Sequence, residues 1–242
     1  MGKAKDIFIK PIKARVANDV IQKKHYSGKV VPNSQIHFGV FLDGKLEGAM
    51  QFGPSINKKG TMNLVKGTGF NEFIELNRMA FSDVLPKYSE SRAIGITMRL
   101  IKKLYPQIKW VISFSDGTQC GDGTIYRASG FHLVDIRESD ALRLNPKTGK
   151  VVHVIQAHHL MITKEFKHWE KTKGYQLKYI YFIDKSYKEG LTMPILPFSD
   201  IDKRGAGMYK GIKRVKQATD GNPLSSGGAT PTDTLHLSEV LS

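Results

Sequence analysis

Residues 73–116 read FIELNRMAFSDVLPKYSESRAIGITMRLIKKLYPQIKWVISFSD, and three segments of different period lie within them. Residues 73–81, Phe-Ile-Glu-Leu-Asn-Arg-Met-Ala-Phe, are largely apolar on both faces, as a central strand is. Ser89-Glu-Ser-Arg92 follows Pro86, and Ile94, Met98, Ile101 and Leu104 then recur at helical spacing until Pro106 closes the run just after Tyr105. Residues 110–115, Trp-Val-Ile-Ser-Phe-Ser, predict a short buried strand that runs into Asp116 and a glycine-laden loop at 117–123. Strand, helix and strand in that order predict an α/β fold with a parallel pair at its centre.

On the amino side, Ile12, Val16, Val20 and Ile21 form one stripe over residues 11–24, the spacing of an amphipathic helix lying on a sheet. Residues 35–42 alternate, with Ile36, Phe38, Val40 and Leu42 on one face, and Asp43-Gly44 supplies a turn into a return strand at 45–52. On the carboxyl side a short helix is expected at 123–129, ending at Gly130, with further strands near 131–137, 151–155 and 177–183. Residues 203–216 carry six basic residues and no acid, and 217–234 are rich in Gly, Ser, Thr, Pro and Asp, a composition that does not order itself alone. The expected division is therefore a catalytic domain at 1–202 and a flexible, initially basic tail at 203–242.

Composition narrows the class. The chain of 242 residues carries 37 Lys plus Arg against 22 Asp plus Glu, a formal charge of +15, so polyanions are the expected partners. Cys120 is the only cysteine, which excludes an internal disulfide and suits a reducing cytoplasm. No apolar core follows the charged first residues and no apolar run approaches membrane-spanning length, so a soluble, cytoplasmic protein is expected.

Several residues are candidates for chemistry. Strict alternation places Arg78 on the face of Ile74, Leu76 and Ala80, with Glu75 and Asn77 opposite. A guanidinium among apolar neighbours needs a carboxylate, a phosphate or a cleft open to water, and an ion pair with Glu75 or Asp116 is the structural alternative. Asp116 closes a strand of the parallel type, where open α/β sheets bind ligands, although Asp116-Gly117 also reads as a turn pair. The loop at 117–124 has amides to offer a phosphate but matches neither the P-loop nor the dinucleotide fingerprint. Cys120 is either a nucleophile near a helix start or a small loop residue. His25-Tyr26 offers a base or metal ligands against ordinary packing, and His158-His159 on a strand would point to opposite faces.

The order of these elements, with the short helix closing in Tyr126-Arg-Ala-Ser-Gly-Phe131, resembles the GNAT acyltransferase fold, a central mixed twisted sheet flanked by helices. Four segments, at 25–31, 74–83, 89–93 and 115–131, resemble the Mom family of Mu-like phages, and the likeness spans roughly residues 20 to 200. That resemblance implies a DNA-modifying transferase that converts adenine in double-stranded DNA to an N6-carbamoylmethyl (glycinamide) derivative and so protects phage DNA from host restriction. It implies Arg78, Asp116 and Tyr126 as catalytic residues, with Tyr126 where GNAT enzymes protonate a departing coenzyme A thiolate. Ser91 and Arg92 match the place where such enzymes hold the pyrophosphate of acetyl-CoA or a related donor. The usual glycine-rich loop is replaced here by Ser-Glu-Ser-Arg-Ala, with Glu90 beside the anion site. An N6-to-methylene bond also differs from the amide that acetyl transfer makes, which leaves room for iron on His25, Tyr26 and Asp116. Lysines of the first helix, with Lys203, Arg204, Lys210, Lys213, Arg214 and Lys216, are expected to contact DNA phosphates. Two alternatives remain: a GNAT N-acetyltransferase acting on a small amine or protein, and a non-catalytic DNA-binding protein. For the latter, no helix-turn-helix or zinc-finger pattern is present.

Overall fold

Both strands expected around the long helix are present, and they run parallel. The computed structural model describes residues 3–117, 121–139, 142–149, 151–209 and 212–213. The chain enters as β1 (Phe8–Pro11), crosses as helix α1 (Ala14–Lys24) and returns as the hairpin β2 (Ile36–Leu42) and β3 (Lys45–Gly53). Helix α2 (Lys58–Met62) leads to β4 (Phe73–Phe81), helix α3 (Ser89–Leu104) and β5 (Trp110–Asp116), and α4 (Thr124–Ala128) leads to β6 (His132–Ser139). An excursion follows: β7 (Leu142–Leu144), β8 (Val151–His153), α5 (Val154–His159), α6 (Thr163–Phe166) and β9 (Glu170–Lys171). Then come β10 (Gly174–Phe182), α7 (Ser199–Lys203) and the two-residue strands β11 (Met208–Tyr209) and β12 (Ile212–Lys213).

Seven strands form one mixed sheet in the order β1-β2-β3-β4-β5-β10-β6. Its hairpin turns at Asp43 and Gly44, both at positive φ (49° and 78°), the backbone that two-residue hairpin loops require. On one face α3 buries Ile94, Met98 and Ile101 against Ile74, Leu76 and Val111. Each of those side chains contributes roughly 1.5–3 kcal/mol on leaving water. On the other face α1 buries Ala17, Val20 and Ile21 over Ala49 and Ala80. Val16, expected in that stripe, is 36% exposed, so the buried stripe sits one position further round the helix. Beside α1 the same face is covered by Tyr187, Leu191 and Met193 over Phe73, Trp110, Ile112 and Ile180.

Two departures from expectation concern the later chain. The strand expected at 151–155 ends at His153, and α5 takes over, so His158 and His159 belong to a helix and not to a strand. Ile201 and Ala206 are both fully buried in the main core, so packed chain continues past the boundary expected at 202/203. The Gly- and Ser-rich stretch at 217–234 lies outside the described residues. Among the described residues no helix is long and apolar enough to cross a membrane.

Candidate active-site cleft

The cleft arises because β4 and β5 stop pairing. They are bonded only from Phe73–Leu76 to Trp110–Ser113. Beyond that, β4 stays with β3 as far as Phe81, and β5 stays with β10 as far as Asp116. The sheet therefore opens at the carboxyl ends of its two parallel strands, where α/β folds place ligands.

A β-bulge sits where the strands part. Phe52 on β3 faces Leu76 and Gln51 faces Arg78, which leaves Asn77 as the extra residue. An inserted residue shifts the pleat by one and re-aims the side chains that follow. Ile74 and Leu76 accordingly face α3, while Ala80 faces α1. Arg78 goes with Ala80: its charge acts on both His25, at the end of α1, and Glu75. The strict alternation that grouped Arg78 with Ile74 and Leu76, opposite Glu75, is corrected by this bulge.

Arg78 donates from Nε to the Lys29 carbonyl (3.2 Å) and from Nη1 to the Asn77 carbonyl (2.7 Å). Among the described residues neither Glu75 nor Asp116 forms an ion pair with it, and Nη2 has no hydrogen-bond partner. Glu75 has a raised pKa because burial outweighs hydrogen bonds from Ser55 and Asn77 and the field of Arg78. His25 is pushed down to about 4, first by burial and second by Arg78, so its imidazole is neutral at ordinary pH. Its Nδ1 faces the Ser27 amide (3.1 Å) and the Ser27 hydroxyl (2.8 Å). Reading the sequence missed Lys29 and Gln51. The Lys29 Nζ is buried without a partner among the described residues, and the buried Gln51 donates from Nε2 to Asn18 Oδ1 (2.7 Å). The available signal for Gln51 was an amide in the run Ala49-Met50-Gln51-Phe52.

Asp116 ends β5 half-buried, paired with Gln176 on β10, which in turn pairs with Arg137 on β6. Tyr126 is on the opposite face. Its phenol oxygen lies 2.9 Å from Ser113 Oγ, at the last paired residue of β5, and its ring stacks on Tyr179 with centroids 4.1 Å apart. The three predicted residues are thus divided between the faces of the sheet, with Arg78 on the α1 side beside the parted strands and Tyr126, 8% exposed, packed in the main core on the α3 side. In the loop before α4, Asp122 accepts from the Thr124 amide (3.1 Å) and hydroxyl, the local bond pattern of an Asx turn. Cys120 lies outside the described residues.

At the amino end of α3, Tyr88 takes a left-handed backbone (φ 74°) and no side chain caps the helix. Ser89 Oγ there is buried without a partner among the described residues, Ser91 Oγ donates to the Tyr88 carbonyl and Arg92 is exposed. These groups suit an anion, with Glu90 as the opposing charge. The set proposed for iron does not fit as it stands. The His25 and Tyr26 rings lie 4.3 Å apart, tilted by 30°, and His25 Nδ1 is turned to the Ser27 amide and hydroxyl. Among the described residues no group of three or more His, Cys, Asp or Glu side chains is placed to hold an ion. Of the basic residues expected on DNA, Lys203 pairs with Asp200 (3.2 Å) and Arg204 donates to the Ile136 carbonyl (3.3 Å). Lys213 lies on β12, and Lys210, Arg214 and Lys216 fall outside the described residues.

The chain is similar to solved acetyltransferases. An N-acetyltransferase from Staphylococcus aureus Mu50 is 10% identical, with a TM-score of 0.45 over 73% of this chain and 98% of that one. The ribosomal-protein-S18-alanine N-acetyltransferase of Escherichia coli is 10% identical, with a TM-score of 0.41 over 73% and 94%. At such scores the likeness carries no weight. By sequence, the chain is 38% identical over 143 residues to the protein named methylcarbamoylase mom of Escherichia phage Mu. That match covers 59% of this chain and 59% of the relative's length. Residues 6–200 match the Mom protein family, and the chain belongs to that family.

Proposed function

We propose that this protein is a transferase that modifies adenine in DNA, attaching a carbamoylmethyl group at N6. The observation that carries the reading is the union of family membership with a guanidinium and a carboxylate at the parting of two parallel strands. The name of the phage Mu relative, a methylcarbamoylase, supports the transferred group.

The adenine N6 amine is a weak nucleophile, because its lone pair is delocalised into the ring, and inside a duplex it has no room for a bulky donor. The base is therefore extruded into the cleft. Asp116 orients the amine and accepts its proton, and Arg78 stabilises negative charge as it develops. Tyr126, hydrogen-bonded to Ser113, serves as the acid toward the leaving group from the other face. The amino end of α3, with Ser89, Ser91 and Arg92, suits the pyrophosphate of a coenzyme A-type donor. Such a donor supplies an activated carbon unit. The N6-to-methylene bond forms as the bond between the methylene carbon and a leaving group breaks. The donor must therefore already hold the carbamoyl group and carry its leaving group on the methylene, where Tyr126 protonates it as it departs. An acetyl thioester, whose leaving group sits on the carbonyl, would give an amide instead.

Mass spectrometry of nucleosides from cells expressing the chain tests this directly. A heavier deoxyadenosine is expected with the wild type and at least tenfold less with Asp116→Asn or Arg78→Ala. Unmodified DNA from cells containing folded wild-type protein overturns the reading, as does full modification by both variants.

A further inference from the structure

Strand β6 is antiparallel to β10, β10 is antiparallel to β5, and β5 is parallel to β4. The carboxyl ends of β4, β5 and β6 therefore lie on one edge of the sheet, and so does the start of β10. At that edge Ser139 pairs directly with Gly174. Two residues suffice to close such a hairpin, yet residues 140–173 intervene.

This excursion has its own small sheet, β8-β7-β9, and its own core, where Val152, Ala157 and Phe166 pack with Ile162 and Trp169. It adds no strand to the main sheet. Residues 140–173 contain seven Lys and Arg against three Asp and Glu. Lys147, Lys164, Lys167, Lys171 and Lys173 are all exposed. Leu160 (57%) and Met161 (91%) are exposed apolar side chains in the turn after α5. Between this excursion and the cleft runs the cross-strand row Asp116, Gln176, Arg137, of which Gln176 and Arg137 are exposed. Neighbouring strands lie about 4.8 Å apart, so Arg137 is about 10 Å along the surface from Asp116.

We infer that residues 140–173 form a nucleic-acid-binding arm, which grips the phosphates of the duplex beside the target base. The inference rests on the proposed DNA substrate and adds the surface that holds it. Charge selects a polyanion, and the position at the rim of the cleft selects the one whose base is being modified. The row through Gln176 and Arg137 is the path from gripped backbone to reacting carboxylate. The exposed Leu160 and Met161 suit contact with sugar or an unstacked base.

Two variants of the full chain test it. One carries the triple substitution Lys164→Gln, Lys167→Gln, Lys171→Gln, and the other replaces residues 140–173 by Asn-Gly to close the hairpin between Ser139 and Gly174. Binding of a short fluorescent duplex is followed by anisotropy at several KCl concentrations, with circular dichroism as the check of folding. The slope of log affinity against log salt changes by about 0.9 for each phosphate that is no longer neutralised, so the triple variant should flatten it by about two to three. The deletion should weaken binding tenfold or more. Unchanged affinity and slope in the folded triple variant overturn the inference even if the deletion does not fold. So does arm-dependent binding to anionic vesicles with duplex affinity untouched. Nucleoside analysis keeps the two ideas apart. Wild type that modifies adenine alongside a triple variant with normal DNA binding refutes the arm alone, whereas arm-dependent binding with no modified adenine refutes the proposed chemistry alone.

Discussion

His25 shows what the cleft does to a titratable group. Its pKa in the folded chain, about 4, is below the usual 6.5 because burial, and then Arg78, disfavour the charged ring. The sign follows: stability is whole above pH 6.5 and is lost as pH falls from 6.5 toward 4, because the unfolded chain takes up a proton that the folded one refuses. The full loss is about 3 kcal/mol. Urea unfolding at pH 7 and pH 4.5 should show it in wild type and much less of it in His25→Gln; parallel losses in both would refute the cause. Arg78→Ala should raise the His25 pKa measured by NMR titration only part of the way to 6.5, since burial is the larger cause. As for legibility, Arg78 stood out in the sequence as a charge within an apolar strand. The face it uses did not, because the bulge at Asn77 depends on how β3 meets β4 and no residue identity announces it. Lys29 was invisible for a similar reason: only a tertiary contact carries its loop to Arg78.

Among the elements, β4, α3 and β5 were readable because each carries a long, uninterrupted period that tertiary contacts reinforce. The excursion was not. Val-Val-His-Val-Ile at 151–155 has the composition of a strand, but the chain turns into α5 at Val154, where local packing over Phe166 overrides propensity. Glycines give a paired test of how tightly each element is held. A Cβ at Gly117, just past β5, would collide with the carbonyl oxygens of Ala206 and Tyr175. Gly117→Ala should therefore cost roughly 1–3 kcal/mol and displace the neighbouring Asp116. Gly95, inside α3, has nothing within 4 Å of the same position. Gly95→Ala should add about 0.5–1 kcal/mol through helix propensity. Thermal melting of both variants checks the contrast, and equal melting temperatures would contradict it.

For the molecule as a whole, the charge of +15 was plain in composition, whereas the burial of Ala206 was not. Basic composition suggested a tail from 203, yet Ala206 is buried and Arg204 bonds to Ile136. A chain ending at Asp202, which loses the buried Ala206, should melt lower than one ending at Lys213, which keeps it. Both should bind duplex less tightly if Arg214 and Lys216 contact phosphates. Differential scanning calorimetry separates the two truncations, and identical curves would refute the distinction. The Ser139–Gly174 pair has one more implication. Because the β6–β10 ladder runs right up to that pair, the main sheet needs nothing that is inserted between those two residues. Shortening or lengthening the insertion should therefore leave the Asp116–Gln176–Arg137 row of the main sheet in place.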